Sequence, residues 1–197
     1  MWGVGSQKGL EKIGNHTQKK TKHYREQDPS KVKEYQQTIA DIPTDRIAYV
    51  DETGIDEYLH REYGRAKRGN PIYSRVSGRK YKRTGIVAAQ IGKCLTAPMQ
   101  YDGTMDGALF EMWFEQLLLP TLPQNTVIVM DNASFHRKSR LTSIAESTSH
   151  TLLFLPPYSP ELNPIENFWA WLKRHLRKIL PSRLSFDDAL HECFQVR

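Results

Sequence analysis

The run TVIVMDN, residues 126–132, constrains this chain more than any other stretch. Val127 to Met130 are apolar without alternation, the pattern of a short strand buried on both faces, and such strands belong to parallel sheets covered by helices on either side. The neighbouring segments fit that demand. Short β runs come first, IAYVDET (47–53), TGIVAAQI (84–91) and LTAPMQY (95–101), with a basic hairpin expected over about 60–83. MDGALFEMWFEQLLLP then predicts an amphipathic helix presenting Leu109, Met112 or Trp113, and Gln116 or Leu117 on one face, stopped by Pro120. After the apolar run come a helix near 138–146, the strand TLLFLP and a closing helix from Pro164 to about Leu180. Strands first, then αβαβα, predict an α/β fold built on a mixed sheet with helices on both faces.

The 197 residues suffice for one domain with a full core, and 39% apolar with 25% charged residues is ordinary for a globular protein. No apolar run approaches the roughly 18 residues of a membrane span, and MWGVGSQKGLEK lacks the apolar segment of a signal peptide, so a cytosolic location without a membrane partner is expected. Cys94 and Cys193 have no CxxC or Cys/His spacing around them, which argues against a disulfide frame or a zinc site. Residues 1–44 are polar. A short helix after Asp28-Pro29-Ser30, with Val32, Tyr35 and Ile39 at helical spacing, reads as a linker rather than a domain, and 45–197 as the folded unit.

The net charge of +6 matters for where it sits. Arg61, Arg65, Lys67, Arg68, Arg75, Arg79, Lys80, Lys82 and Arg83 face a single acid, Glu62, within that stretch, and Tyr63, Tyr73 and Tyr81 interleave them. Lys173, Arg174, Arg177 and Lys178 form a second cluster on the closing helix. This footprint suits a phosphate backbone, although a charge run also serves as a plain solvated face.

Two apolar strands end in an acid, Asp51 and Asp131. An aspartate there commonly closes an Asx turn, but functional groups in open α/β sheets also gather outside strand ends. A third acid, Glu166, stands where PPYSPELNP meets the closing helix. Asn163 reads as an N-cap, Pro164 as the first helical residue and Glu166 as a capping-box partner at N3. The cap and a metal-ligand role are compatible. Three carboxylates without histidine or cysteine form a hard oxygen site of the type that selects Mg²⁺ or Mn²⁺. Such sites hold two ions roughly 3.5–4 Å apart for in-line phosphodiester displacement. Glu52, on the opposite pleat from Asp51, and Asp56 and Glu57 in the next turn read as solvated or structural. Ile165, Phe168, Leu172, Leu176 and Ile179 form the helix's apolar face, with Trp169 and Trp171 as packing residues, while Glu166, Ala170, Lys173 and Arg177 share another face.

YVDETG, the glycine-bounded GRAKRGN, VMDNASFH and above all LPPYSPELNPIENFWAWLK resemble, over about 46–180, the catalytic domain of mariner-like DDE transposases in their bacterial insertion-sequence branch. Asp131 and Glu166 lie 35 positions apart, leaving 34 residues between them, and that D34E spacing is a hallmark of the family. The resemblance implies a ribonuclease H-like fold with strand one beside strand four, and maps the family's acids onto Asp51, Asp131 and Glu166. It also implies two Mg²⁺ or Mn²⁺ ions, metal-dependent hydrolysis at transposon ends, and attack of the freed 3′-hydroxyl on target DNA, usually at a TA dinucleotide. Asn132 and His136 fall in the second motif, where they would support phosphate or metal ligands or serve as a turn Asn and a surface His. The partners implied are double-stranded DNA and a second copy of the chain.

Two features depart from the family pattern. Its full-length members carry helix-turn-helix modules before the catalytic domain, and residues 1–44 resemble only the end of that region, so the resemblance leaves open the downstream half of a split reading frame with an upstream DNA-binding polypeptide as partner, a truncated copy, or a fragment. GRAKRGN carries Arg65 and Lys67 where the family often has an aromatic residue and a proline. Two rival readings stand beside the transposase: a silent DNA-binding remnant, and another ribonuclease H-like nuclease.

Overall fold

The run at 127–130 becomes β4 (Val127–Met130), and it lies where its composition demands, paired in parallel on both sides, with β1 (Ile47–Asp56) and with β5 (Thr151–Phe154). β2 (Arg83–Ile91) and β3 (Cys94–Asp102) extend the sheet in antiparallel fashion, giving the order β3-β2-β1-β4-β5. This computed structural model describes residues 24–195 except 60–65, 68, 72, 74–76, 79 and 80, so most of the expected basic hairpin lies outside the described residues.

Helices cover both faces, as the sequence predicts. On one, Ala48, Val50, Ile128 and Met130 pack against Phe110 and Trp113 of α2 (Gly107–Trp113), the turns that follow it, and Leu141 and Ala145 of α3 (Lys138–Ser147). On the other, Ile55, Ile86 and Ala88 lie under α4 (Ile165–Ile179) and α5 (Phe186–Gln195). The short helix α1 (Pro29–Ala40), capped by the Asp28 carboxylate on the Ser30 N–H, buries Tyr35 against Ile47, Val129 and Leu155. Among the described residues no helix is long and apolar enough to cross a membrane. Cys94 is exposed and Cys193 buried, and both are free thiols.

Three elements differ from the sequence reading. α2 is regular only to Trp113, then widens into π turns over Phe114–Leu118 and tightens at Leu119–Thr121. The wider turn rotates the buried face onto Phe110, Trp113, Phe114 and Leu118, leaving Leu117 and Gln116 exposed. α5 was not foreseen, although Ser185 caps it, with the Asp188 N–H donating to Ser185 Oγ at 3.1 Å and that hydroxyl donating to the Asp188 carboxylate at 2.8 Å. β1 does not end at Asp51 but runs on to Asp56, because β2 continues to pair with it as far as Asp56 opposite Arg83.

Candidate active site

Although Asp51 is inside β1, it lies beyond the reach of β4, whose parallel pairing with β1 stops at Tyr49 opposite Val129. Carried on by two residues, the same register brings Asp51 level with Asp131, the first residue after β4, on neighbouring strands about 4.8 Å apart. Asp131 also closes the Asx turn expected of it, its Oδ1 accepting from the Ala133 N–H at 3.0 Å. Both readings of this aspartate therefore hold.

Glu166 enters from the start of α4, and the turn before it does the placing. Asn163 does not cap the helix with its side chain. Its amide instead donates from Nδ2 to the Val50 carbonyl at 3.2 Å, while its own N–H donates to Pro160 O at 3.0 Å. No side chain caps α4, so the expected capping box is absent and Glu166 has no capping duty. One turn later Trp169, buried in the core beneath α4, donates from Nε1 to Asp51 Oδ2 at 3.0 Å. The start of α4 is thus tied to β1 at Val50 and at Asp51, and Glu166 stands in the chain between the two residues that make the ties. Tyr158, in the turn itself, adopts a left-handed φ of 58° that side chains rarely take, a strained conformation of the kind found beside functional sites.

Asp51, Asp131 and Glu166 line one cleft of about 390 Å³, walled by Pro156 to Pro160. Burial, then the charges of Glu166 and Asp131, push the Asp51 carboxyl up to about 7. Partial shielding from water and the charge of Asp131 also raise Glu166, against the opposing pull of Lys173. Burial holds the Lys173 ammonium below its ordinary value, offset by Glu166. A carboxylate cluster with raised pKa values favours a bound cation, because a positive charge would remove the repulsion that keeps protons on it. The donor set is all oxygen, which fits a hard divalent ion. Among the described residues no three His, Cys, Asp or Glu side chains already converge as a finished cage.

The supporting residues separate. His136 Nδ1 lies 3.4 Å from the Asp131 carboxylate, with its ring buried against Phe110 and Phe135. Asn132 instead ties two strand ends together, donating from Nδ2 to Leu155 O at 2.5 Å and accepting from Lys138 Nζ. Of the basic residues, Lys67, Arg174 and Arg177 are exposed, and Lys82 pairs with Asp102 at 3.0 Å. Arg61, Arg65, Arg68, Arg79 and Lys80 lie outside the described residues. Glu52 is more than a solvated acid: it is half-buried, accepts from the Tyr101 hydroxyl at 3.3 Å, and is pushed up to about 7 by burial.

Trp169 gives a direct check on this arrangement. Trp169→Phe keeps an aromatic ring in the core and removes the donor to Asp51, so Mn²⁺ affinity measured by calorimetry is expected to fall about 10–100-fold, the usual effect of losing a partner that orients a ligand.

A ribonuclease H-like mixed sheet thus carries Asp51 within β1 and Asp131 just after β4, with Glu166 facing them from the first turn of α4. The family described as DDE superfamily endonuclease matches residues 46–188, and the chain belongs to that family. It is 35% identical over 74 residues to the uncharacterized protein y4pE/y4sA of Sinorhizobium fredii, covering 35% of this chain and 48% of that one. It is 32% identical over 84 residues to the Tcb1 transposase of Caenorhabditis briggsae, covering 41% and 31%. The chain spans less than half the length of the curated relatives it matches. In three dimensions it is similar to Mos1 transposase in a paired-end complex with the left transposon end, with a TM-score of 0.64 at 16% identity over 93% of this chain and 65% of that one. Mos1 paired-end complexes with Mn and with Mg each give a TM-score of 0.59.

Proposed function

We propose that this chain is the catalytic domain of a mariner-type DNA transposase, cutting phosphodiester bonds at transposon ends and joining the freed 3′-hydroxyl to target DNA, at TA. The observation that carries the reading is that Asp51 of β1, Asp131 just after β4 and Glu166 of α4 line one cleft. Those three carboxylates would hold two Mg²⁺ or Mn²⁺ ions, whose chemistry is to activate the attacking hydroxyl and stabilise the leaving oxygen. Similar Mos1 complexes that contain Mn or Mg support that choice.

The chain's own residues do the rest. Trp169 and Asn163 orient Asp51 and the start of α4, His136 braces Asp131, and Lys173 tempers the charge beside Glu166. Arg174 and Arg177 on the exposed flank of α4, with Lys67 and the basic residues around it, bring the polyanion to acids that would otherwise repel it. The protein acts on double-stranded DNA in the cytosol as a homodimer.

Purified chain incubated with supercoiled plasmid in Mn²⁺ is expected to produce nicked circles, and EDTA is expected to stop the reaction. Nicking that persists in EDTA would rule out the metal-dependent reading.

A further inference from the structure

Two buried polar atoms beside the carboxylates have no hydrogen-bond partner among the described residues, Oε1 of Glu52 and Nε2 of His136. Both residues line a second pocket, of about 110 Å³, on the α2 side of β1. Its wall includes Asp51 and Asp131 together with the apolar Val50, Met130, Phe110 and Phe135.

Each orphan belongs to a side chain held in place by other contacts. The other oxygen of Glu52 accepts from Tyr101, whose ring lies across Gly85 so closely that a Cβ there would sit 2.3 Å from it. The His136 ring, its side chain 4% exposed, is packed against Phe110 and Phe135 with centroids 4.4 and 4.3 Å away. Its Nδ1 is within 3.4 Å of both Oδ1 and the carbonyl of Asp131. Buried polar groups in folded proteins are almost always paired, with protein or with ordered water. A water needs roughly 10–15 Å³ and two to four polar partners, and this pocket offers the room and is lined by the two residues that carry the orphaned atoms.

We propose that the pocket holds ordered water linking Glu52 Oε1 to His136 Nε2, completing a chain from Tyr101 through Glu52 and His136 to Asp131. Glu52 and His136 are then positioning residues that fix the Asp131 carboxylate, not ligands themselves. The inference rests on the reading of Asp131 as a metal ligand.

The test measures Mn²⁺ affinity by calorimetry and the plasmid-nicking rate at saturating Mn²⁺, with thermal melts for each variant. Glu52→Gln keeps an oxygen for Tyr101 and an amide for the water, and is expected to lose less than tenfold in Mn²⁺ affinity, against about 10–100-fold for Glu52→Leu. His136→Phe, which keeps the ring packing and removes both nitrogens, is expected to match Glu52→Leu without a lower melting temperature. In both, the loss falls on affinity rather than on the saturated rate, and a high-resolution crystal structure of the wild type shows water within hydrogen-bond distance of both orphaned atoms. If Glu52→Gln is as damaging as Asp131→Asn, Glu52 is a ligand and the proposal fails. If Glu52→Leu and His136→Phe both bind Mn²⁺ like wild type while Asp131→Asn does not, the pocket only packs, and the metal reading survives without it. If Asp131→Asn also binds normally, the metal reading falls as well.

Discussion

Glu166→Gln is expected to leave the fold intact and to abolish Mn²⁺-dependent nicking, a loss on the order of 10³-fold or more, since a bound ion contributes several kcal/mol to charge stabilisation in the transition state. The substitution is informative because it separates the two roles open to this residue. A capping glutamate survives replacement by glutamine, whose amide still reaches the backbone, whereas a metal ligand loses its charge. In the structure the helix start is held by Asn163 on Val50 and no side chain caps α4, so nothing about the fold depends on the Glu166 charge. Circular dichroism and melting temperature should match wild type while the nicked product disappears. Equal nicking by the two proteins would leave Glu166 outside the chemistry.

Asp51→Asn is expected to be just as inactive, again on the order of 10³-fold, and yet more stable than wild type in the absence of metal at neutral pH and above. The sign follows from burial and from the neighbouring charges of Glu166 and Asp131, which raise the folded-state Asp51 pKa from 3.8 to about 7. Below pH 3.8 the carboxyl is protonated in both states. Between 3.8 and about 7 the folded chain holds a proton the unfolded chain has released, so this group's contribution to stability is lost as pH rises through that window. Glu52, raised from 4.5 to about 7, lowers the stability of both proteins over the same window and so drops out of their difference. The melting temperature of wild type relative to Asp51→Asn should therefore fall between pH 4 and pH 8, and added Mn²⁺ should restore it most at the alkaline end, where the cation meets no competing proton. A difference between the two proteins that does not change with pH would mean Asp51 is not the strained group of the site.

The parts of this site written in local chemistry were legible in the sequence. Val127–Met130 demanded a central strand, Pro160 to Pro164 demanded a turn before a helix, and the 35-position step from Asp131 to Glu166 set the two against each other. What escaped were contacts between residues far apart in the chain. Trp169 bonds to Asp51 across 118 positions and Asn163 to Val50 across 113, and no local rule predicts which buried tryptophan or asparagine will find which acceptor. Asn163 was misread for the same reason: its spacing is that of a cap, but the Val50 carbonyl, left beyond the end of β4 pairing, claims its side chain. For Glu52 the sequence left solvated and structural roles open, because the contact that decides between them comes from Tyr101, which reaches it across the glycine at 85. The length of β1 depends on β2, and the extent of that partner cannot be read from β1 itself.

The central claim is that Asp51, Asp131 and Glu166 form one metal site. Anomalous scattering from crystals of the wild-type chain soaked in Mn²⁺, collected at the manganese edge, tests it most directly. The predicted result is a manganese peak within the cleft, with oxygens of all three carboxylates around it, and its loss in Asp131→Asn. Manganese bound elsewhere, or an unchanged peak in Asp131→Asn, would contradict it.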